Sequence, residues 1–199
     1  MVDQPIGRGG RTRQHLVDVA TSLFTERGYE ATSIEAILEA AGVSRGALYH
    51  HFDGKEALFE AVFLAQEDDV GRQLQRATAR ARDAREALRL GCAAWIRIAG
   101  TPAVRQIVLL DAPAALGWDR WREIEERYAL GDIKLGLGAM AAEGLLPPEL
   151  VDAFAHVLLA AVNEIALLVA RAPDLKAAQR LGTRAVEELV DRLLGTGGP

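Results

Sequence analysis

The stretch Thr32–Leu58, TSIEAILEAAGVSRGALYHHFDGKEAL, decides how this chain folds. It reads as a helix, a tight turn, a second short helix and the start of a third. Thr32 and Glu35 stand at T-x-x-E spacing, which predicts a capping box at the first of these. Ile34, Ile37 and Leu38 form its apolar face, and Gly42 suits the left-handed residue that ends a helix. Ser44 is placed to cap the next helix, expected to finish near Phe52. Asp53, with Glu56 behind it, is expected to cap the third.

Upstream, Leu16, Val19, Ala20, Leu23 and Phe24 recur at helical spacing, predicting a helix over about 12–27 that stops at Gly28. The first ten residues are Gly-rich and are expected to be a disordered arm. Downstream, no stretch alternates with period two, and helical signals continue to the end. A long helix from Lys55 to about Arg82 is amphipathic at first and highly charged later. A fifth covers about 83–99. Thr101-Pro102 opens a sixth that is expected to end by Pro113. A seventh runs from about Trp118 to Gly144, an eighth from Pro147-Pro148 to before Pro173, and a ninth starts at an Asp174 cap. The expected fold class is all-α with about nine helices. The expected domains are an arm at 1–10, a helix-turn-helix unit at 11–60 and a larger helical bundle at 61–199.

Composition bounds the class. The chain has 199 residues, is half apolar and 26% charged, an ordinary globular balance. Cys92 is the only cysteine, so no intrachain disulfide forms and a reducing, cytoplasmic location is expected. The N-terminus lacks the apolar core of a signal peptide. The most apolar run, Val157 to Ala170, contains Asn163 and Glu164 and reads as too short to span a bilayer comfortably. Net charge is −5, and residues 1–60 carry six basic against nine acidic side chains. Any nucleic acid must therefore be held by a local basic patch, not by the field of the molecule.

The second helix of the opening stretch supplies such a patch. At about 100° per residue, Leu48 and Phe52 point inward. Gly46, Ala47 and His50 lie opposite, with Tyr49 and His51 on the flanks. The small residues allow close approach to the floor of a major groove. Arg45 can bridge a guanine edge, and His50 can donate to a base or phosphate. Tyr49, His51 and Lys55 suit phosphate oxygens, as does Ser33 at the start of the preceding helix. Arg8, Arg11 and Arg13 are expected to form a basic arm.

The segment RQHLVDVATSLFTERGYEATSIEAILEAAGVSRGALYHHFDGKEALFEAVF strongly resembles the N-terminal domain of the TetR (TetR/AcrR) family of transcriptional regulators. The marks are Ala20, Leu23-Phe24, Gly28-Tyr29, Thr32 with Ile34, Ala41-Gly42-Val43-Ser44, Leu48-Tyr49, and the spacing of Phe52, Lys55 and Leu58. They match in register over roughly a quarter of the chain. The resemblance implies that Ser33, Arg45, Gly46, Ala47, Tyr49, His50, His51 and Lys55 face DNA. It also implies a homodimer on a near-palindromic operator, its reading helices ~34–36 Å or somewhat more apart, and release by a small ligand. With glycine and alanine at 46 and 47, base reading falls largely on Arg45 and His50.

The helix from Glu149 to Arg171 is apolar nearly all round, which is most easily satisfied by a second copy. Leu158, Val162, Ile165 and Val169 here, with Leu181, Ala185 and Leu189 of the last helix, are the expected dimer interface, a four-helix bundle. Asn163 reads either as a register-fixing hydrogen bond or as an anchor for an inducer. Trp95, Asp111, Trp118, Trp121 and Tyr128 are either ordinary core or, with Asn163, the lining of a pocket for a hydrophobic effector.

No cofactor, metal or catalytic residue is expected. Gly136-Leu-Gly138 lies in a helix without a preceding strand, so it is no dinucleotide motif. His50 and His51 diverge on their helix and lack a third ligand. The sequence thus predicts a dimeric, ligand-responsive repressor and no enzyme. Two other readings stay open: a helical ligand-binding protein or enzyme that does not read DNA, and a protein-binding adaptor.

Overall fold

A computed structural model describes residues 8–193. Of the arm expected at 1–10, residues 1–7 lie outside them, as does the Gly-rich tail at 194–199, and residues 8–10 are helical rather than a disordered arm. Among the described residues all regular structure is helical, in nine helices. These are α1 (Arg8–Ala31), α2 (Ile34–Ala41), α3 (Arg45–Tyr49), α4 (Lys55–Thr78), α5 (Ala84–Ala99), α6 (104–115), α7 (118–142), α8 (148–171) and α9 (Leu175–Leu193).

The head is built from α1–α3 and the first turns of α4. Leu16, Val17, Ala20, Leu23 and Phe24 of α1 are buried against Ile37, Leu48, Phe52, Leu58 and Phe59. Phe24, Tyr29 and Phe59 pack their rings together, with centroids 4.8–5.9 Å apart. α1 begins at Arg8, so Arg11 and Arg13 ride on a helix and not on an arm. Arg13 stacks over the Phe52 ring, 5.1 Å from its centroid.

Two expected caps fall elsewhere. Ser33, not Thr32, caps α2 by accepting from the Ala36 N–H at 3.1 Å. Thr32 is fully buried, and its hydroxyl donates to the Gly28 carbonyl at 2.8 Å. Glu35 is left free to pair with Arg45. Asp53 makes no cap either: the N-cap of α4 is Gly54, without a side-chain bond. Ser44 and Asp174 cap α3 and α9 as expected, and Asp83 caps α5 by accepting from the Glu86 N–H at 2.7 Å. Gly42 ends α2 in the left-handed region, with φ 63° and ψ 32°.

α4 runs from the head into the body, a bundle of α4–α9. Two body helices contain π-helical segments, Val104–Asp111 in α6 and Glu126–Leu130 in α7. Pro113 therefore does not end α6. It lacks an N–H and falls where the π-helical ladder gives way to the α-helical turn Ala112–Ala115.

α8 is not buried all round. Leu158, Val162 and Val169 face into their own subunit, contrary to the interface expected from the sequence. Val157 and Leu168 are exposed instead, at 58% and 63%. By length and composition Pro148–Arg171 is sufficient to cross a membrane. Its inner face, however, joins the same core as α5 and α9.

Candidate DNA interface and effector cavity

Leu48 and Phe52 anchor α3 from below, at 0% and 5% exposure. This fixes which side looks outward. Ser33, Arg45, Gly46, Tyr49 and His50 are exposed, and Ala47, His51 and Lys55 half-buried. All eight residues expected to face DNA thus belong to one region of the head. α3 is shorter than expected, ending at Tyr49, but the chain keeps coiling: the Phe52 N–H donates to the Leu48 carbonyl at 2.9 Å.

Two of these residues have partners within the chain. Arg45 donates from Nη2 to Glu35 of α2. Both groups are exposed, so the pair is weak and a guanine or phosphate can displace it. Lys55 donates from Nζ to the Tyr29 carbonyl at 2.9 Å and lies 4.0 Å from the Tyr29 ring centroid. An ammonium has three donors, so this bond leaves capacity for a phosphate.

Head and body meet at the Gly28–Tyr29 peptide. Gly28 breaks α1 at φ 79°, a conformation that disfavours side chains, and a Cβ there would lie 3.3 Å from Gln106 Nε2. The freed Tyr29 N–H donates to Asp111 of α6 at 2.8 Å. Gln106 donates to the other Asp111 oxygen at 3.0 Å. Asp111, expected in a pocket, is therefore a clasp between body and head. Arg120 of α7 adds a second link, to Glu60 of α4 at 2.5 Å.

The body encloses a cavity of about 360 Å³ between α4, α5, α7 and α8, a volume suited to a small ligand. Trp95, Tyr128 and Asn163 line it, as three of the six expected pocket residues. Trp118 is 63% exposed and stacks on Trp121, which is buried away from the cavity.

The cavity's polar centre was missed by sequence reasoning. Glu67 and Glu125 are both buried, at 5% and 4% exposure. Asn163 donates from Nδ2 to Glu125. Burial pushes the Glu125 carboxyl up to about 7, while the Asn163 bond and the Arg122 charge act the other way. Burial and then the charges of Glu125 and Asp68 push Glu67 up to about 8. Glu67 Oε1 and Trp95 Nε1 have no hydrogen-bond partner. The signal was present: Glu67 falls four residues after Phe63 and three before Val70, on an apolar stripe. Glu125 likewise follows Trp121 by four.

Buried Cys92 lines the same wall, and burial pushes its thiol up to about 12, so it packs as an apolar group.

A small helical head with an exposed reading helix, set on a body that encloses a cavity, defines a helix-turn-helix regulator. Comparison with known proteins gives the same class. Residues 16–62 match the family described as bacterial regulatory proteins, tetR family. Residues 85–193 match that described as tetracyclin repressor-like, C-terminal domain. The chain belongs to the TetR family of transcriptional regulators.

Among its relatives, the HTH-type transcriptional repressor KstR2 of Rhodococcus jostii is 40% identical over 86 residues, covering 43% of this chain and 42% of that one. The HTH-type transcriptional regulator AcrR of Shigella flexneri is 47% identical over 60 residues, covering 30% and 28%. The alignments thus span under half the length of these relatives. A crystal structure of a TetR-family transcriptional regulator from Pectobacterium atrosepticum is 29% identical, with TM-score 0.82, covering 98% of this chain and 100% of that one. All of these are named as regulators and none as an enzyme.

Proposed function

We propose that the chain is a cytoplasmic repressor that binds a near-palindromic operator as a homodimer and leaves it when a small apolar ligand fills the cavity. The observation that carries this reading is the Asp111 clasp. It ties the break in α1, and so the orientation of the head, to the same body that encloses the cavity. A ligand that favours one arrangement of α6 and α7 shifts the spacing of the two heads by its differential affinity for the two states.

In this reading Arg45 and His50 contact base edges over the flat Gly46-Ala47 surface. Ser33, Tyr49, His51 and Lys55 hold phosphates. A near-palindrome follows from the two-fold symmetry of the dimer. The relatives named as repressors favour repression over activation.

The test is a footprint on DNA upstream of the chain's own coding region. A symmetric protected site is expected. Arg45→Ala should weaken it by about 1–3 kcal/mol, the worth of one bidentate base contact, and relax preference at one base pair in each half-site. No sequence-specific protection by a folded wild-type dimer at low salt would overturn the reading.

A further inference from the structure

The charge of the cavity wall is one-sided. Glu67, Glu125 and Asp132 line it, and no Lys, Arg or His does. Asn163 satisfies one oxygen of Glu125. Glu67 Oε1, in a side chain 5% exposed, has no partner. A buried polar atom without a partner is destabilising, so the folded chain holds an unmet demand at this point. The remaining wall is largely apolar, and Trp95 and Tyr128 supply the aromatic faces that cations favour.

We propose that the cavity takes a lipophilic organic cation, an amine or quaternary ammonium whose charge lies between the Glu67 and Glu125 carboxylates. Its apolar body lies along Leu74, Leu88 and Ile133, which line the same space. A carboxylate ligand would find no Lys, Arg or His on the wall to pair with, and would bring one more desolvated acid beside Glu67 and Glu125. A neutral ligand leaves those two carboxyls in the protonated form that burial favours and offers Glu67 no opposite charge. A cation does, because an opposite charge favours the ionised form that burial opposes. Trp95 Nε1, also unpartnered, is placed to donate to an ether or carbonyl oxygen elsewhere on the ligand.

The assignment rests on the ligand-responsive reading above, and one experiment separates the two. Decyltrimethylammonium, decan-1-ol and decanoate share one apolar tail and differ in charge. Each is titrated into the full chain by calorimetry at neutral pH, below its micellar concentration. The cation is expected to bind at least about tenfold more tightly than the other two, a difference of about 1.4 kcal/mol. Glu67→Gln and Glu125→Gln should each remove most of that preference while leaving decan-1-ol binding within about twofold.

Equal or tighter binding of decan-1-ol or decanoate, no binding of the cation, or an undiminished preference in both glutamine variants would overturn the assignment. Should either variant fail to fold, the three probes on the wild type decide alone. The footprint is then repeated with each probe. Release by decan-1-ol with no preference for the cation keeps ligand response and rejects the cation site. Tight cation binding that leaves the footprint intact supports the site and rejects release.

Discussion

Most carboxylates that matter to a fold gain a partner and stabilise it as pH rises; Glu67 does the reverse. Its unfolded form ionises near 4.5, whereas in the fold burial and the neighbouring acids hold the proton to about 8. Between those values the folded state binds more protons than the unfolded one, so stability falls as pH rises and levels off above about 8. The groups facing Glu67 do not reverse this. Glu125 from α7 and Asp68 from α4 both raise it, Asn163 is engaged by Glu125, and Cys92 is a neutral thiol. Glu67→Gln removes the ionisation. Its Tm should exceed that of the wild type at pH 8 and converge with it at pH 5, by ~2–4 °C for each kcal/mol in a chain of this size. A wild-type Tm that rises from pH 5 to pH 8 would contradict the burial argument. At the reading surface the balance differs. Arg45 and Glu35 are both exposed, so their pairing holds little energy and does not oppose docking.

At the scale of elements, local chemistry was the legible part. Helix starts at Ser44 and Asp174 and the stop at Gly42 follow from acceptor side chains and a left-handed glycine, and all three hold. Capping failed where a competing partner existed. Thr32 was drawn into the core by the Gly28 carbonyl, and Ser33 took its place. Periodicity could not show the π-helical segments, because their cost is met by tertiary contacts: Asp111 on the first holds Tyr29, and Tyr128 on the second lines the cavity. It also could not say which face of a nearly all-apolar helix points inward. The crossing of α5, α8 and α9 settles that, and it turns on Gly182. A Cβ at this position would lie 2.8 Å from Val169 Cγ2, 3.2 Å from Ile165 Cγ2 and 3.3 Å from Ile96 Cγ2. Gly182→Ala gains about 1 kcal/mol of helix propensity but overpacks a close crossing at a cost of about 1–3 kcal/mol. The net expectation is a lower Tm, read in a thermal melt; an equal or higher Tm would show that the crossing gives way freely.

For the whole molecule, the decisive question is what covers the outer face of α8 and α9. Of the interface residues expected from sequence, Leu158, Val162 and Val169 are already used inside the subunit, and Val162 lines the cavity. Ile165 and Leu189 are half-buried, while Leu181 and Ala185 are exposed. Val157, Leu168 and Leu181 are 58–69% exposed. Exposed apolar side chains on two packed helices mark an association surface. In the proposed homodimer, a two-fold contact through this face would make the four-helix bundle and set two heads on one duplex. This arrangement also matters for affinity, because residues 1–60 are net acidic and one head gains little from long-range attraction. Two linked heads turn the second contact into an intramolecular one. Leu168→Asp places a charge at the centre of this surface and touches neither the cavity nor the head. By light scattering the wild type should run at twice the 21.5 kDa chain mass, and the variant at the single-chain mass with unchanged helix content. Operator affinity should fall by about tenfold or more, since only half-site contacts remain. A variant that stays dimeric would move the interface away from α8 and α9, and a folded monomer with full operator affinity would remove the need for two heads.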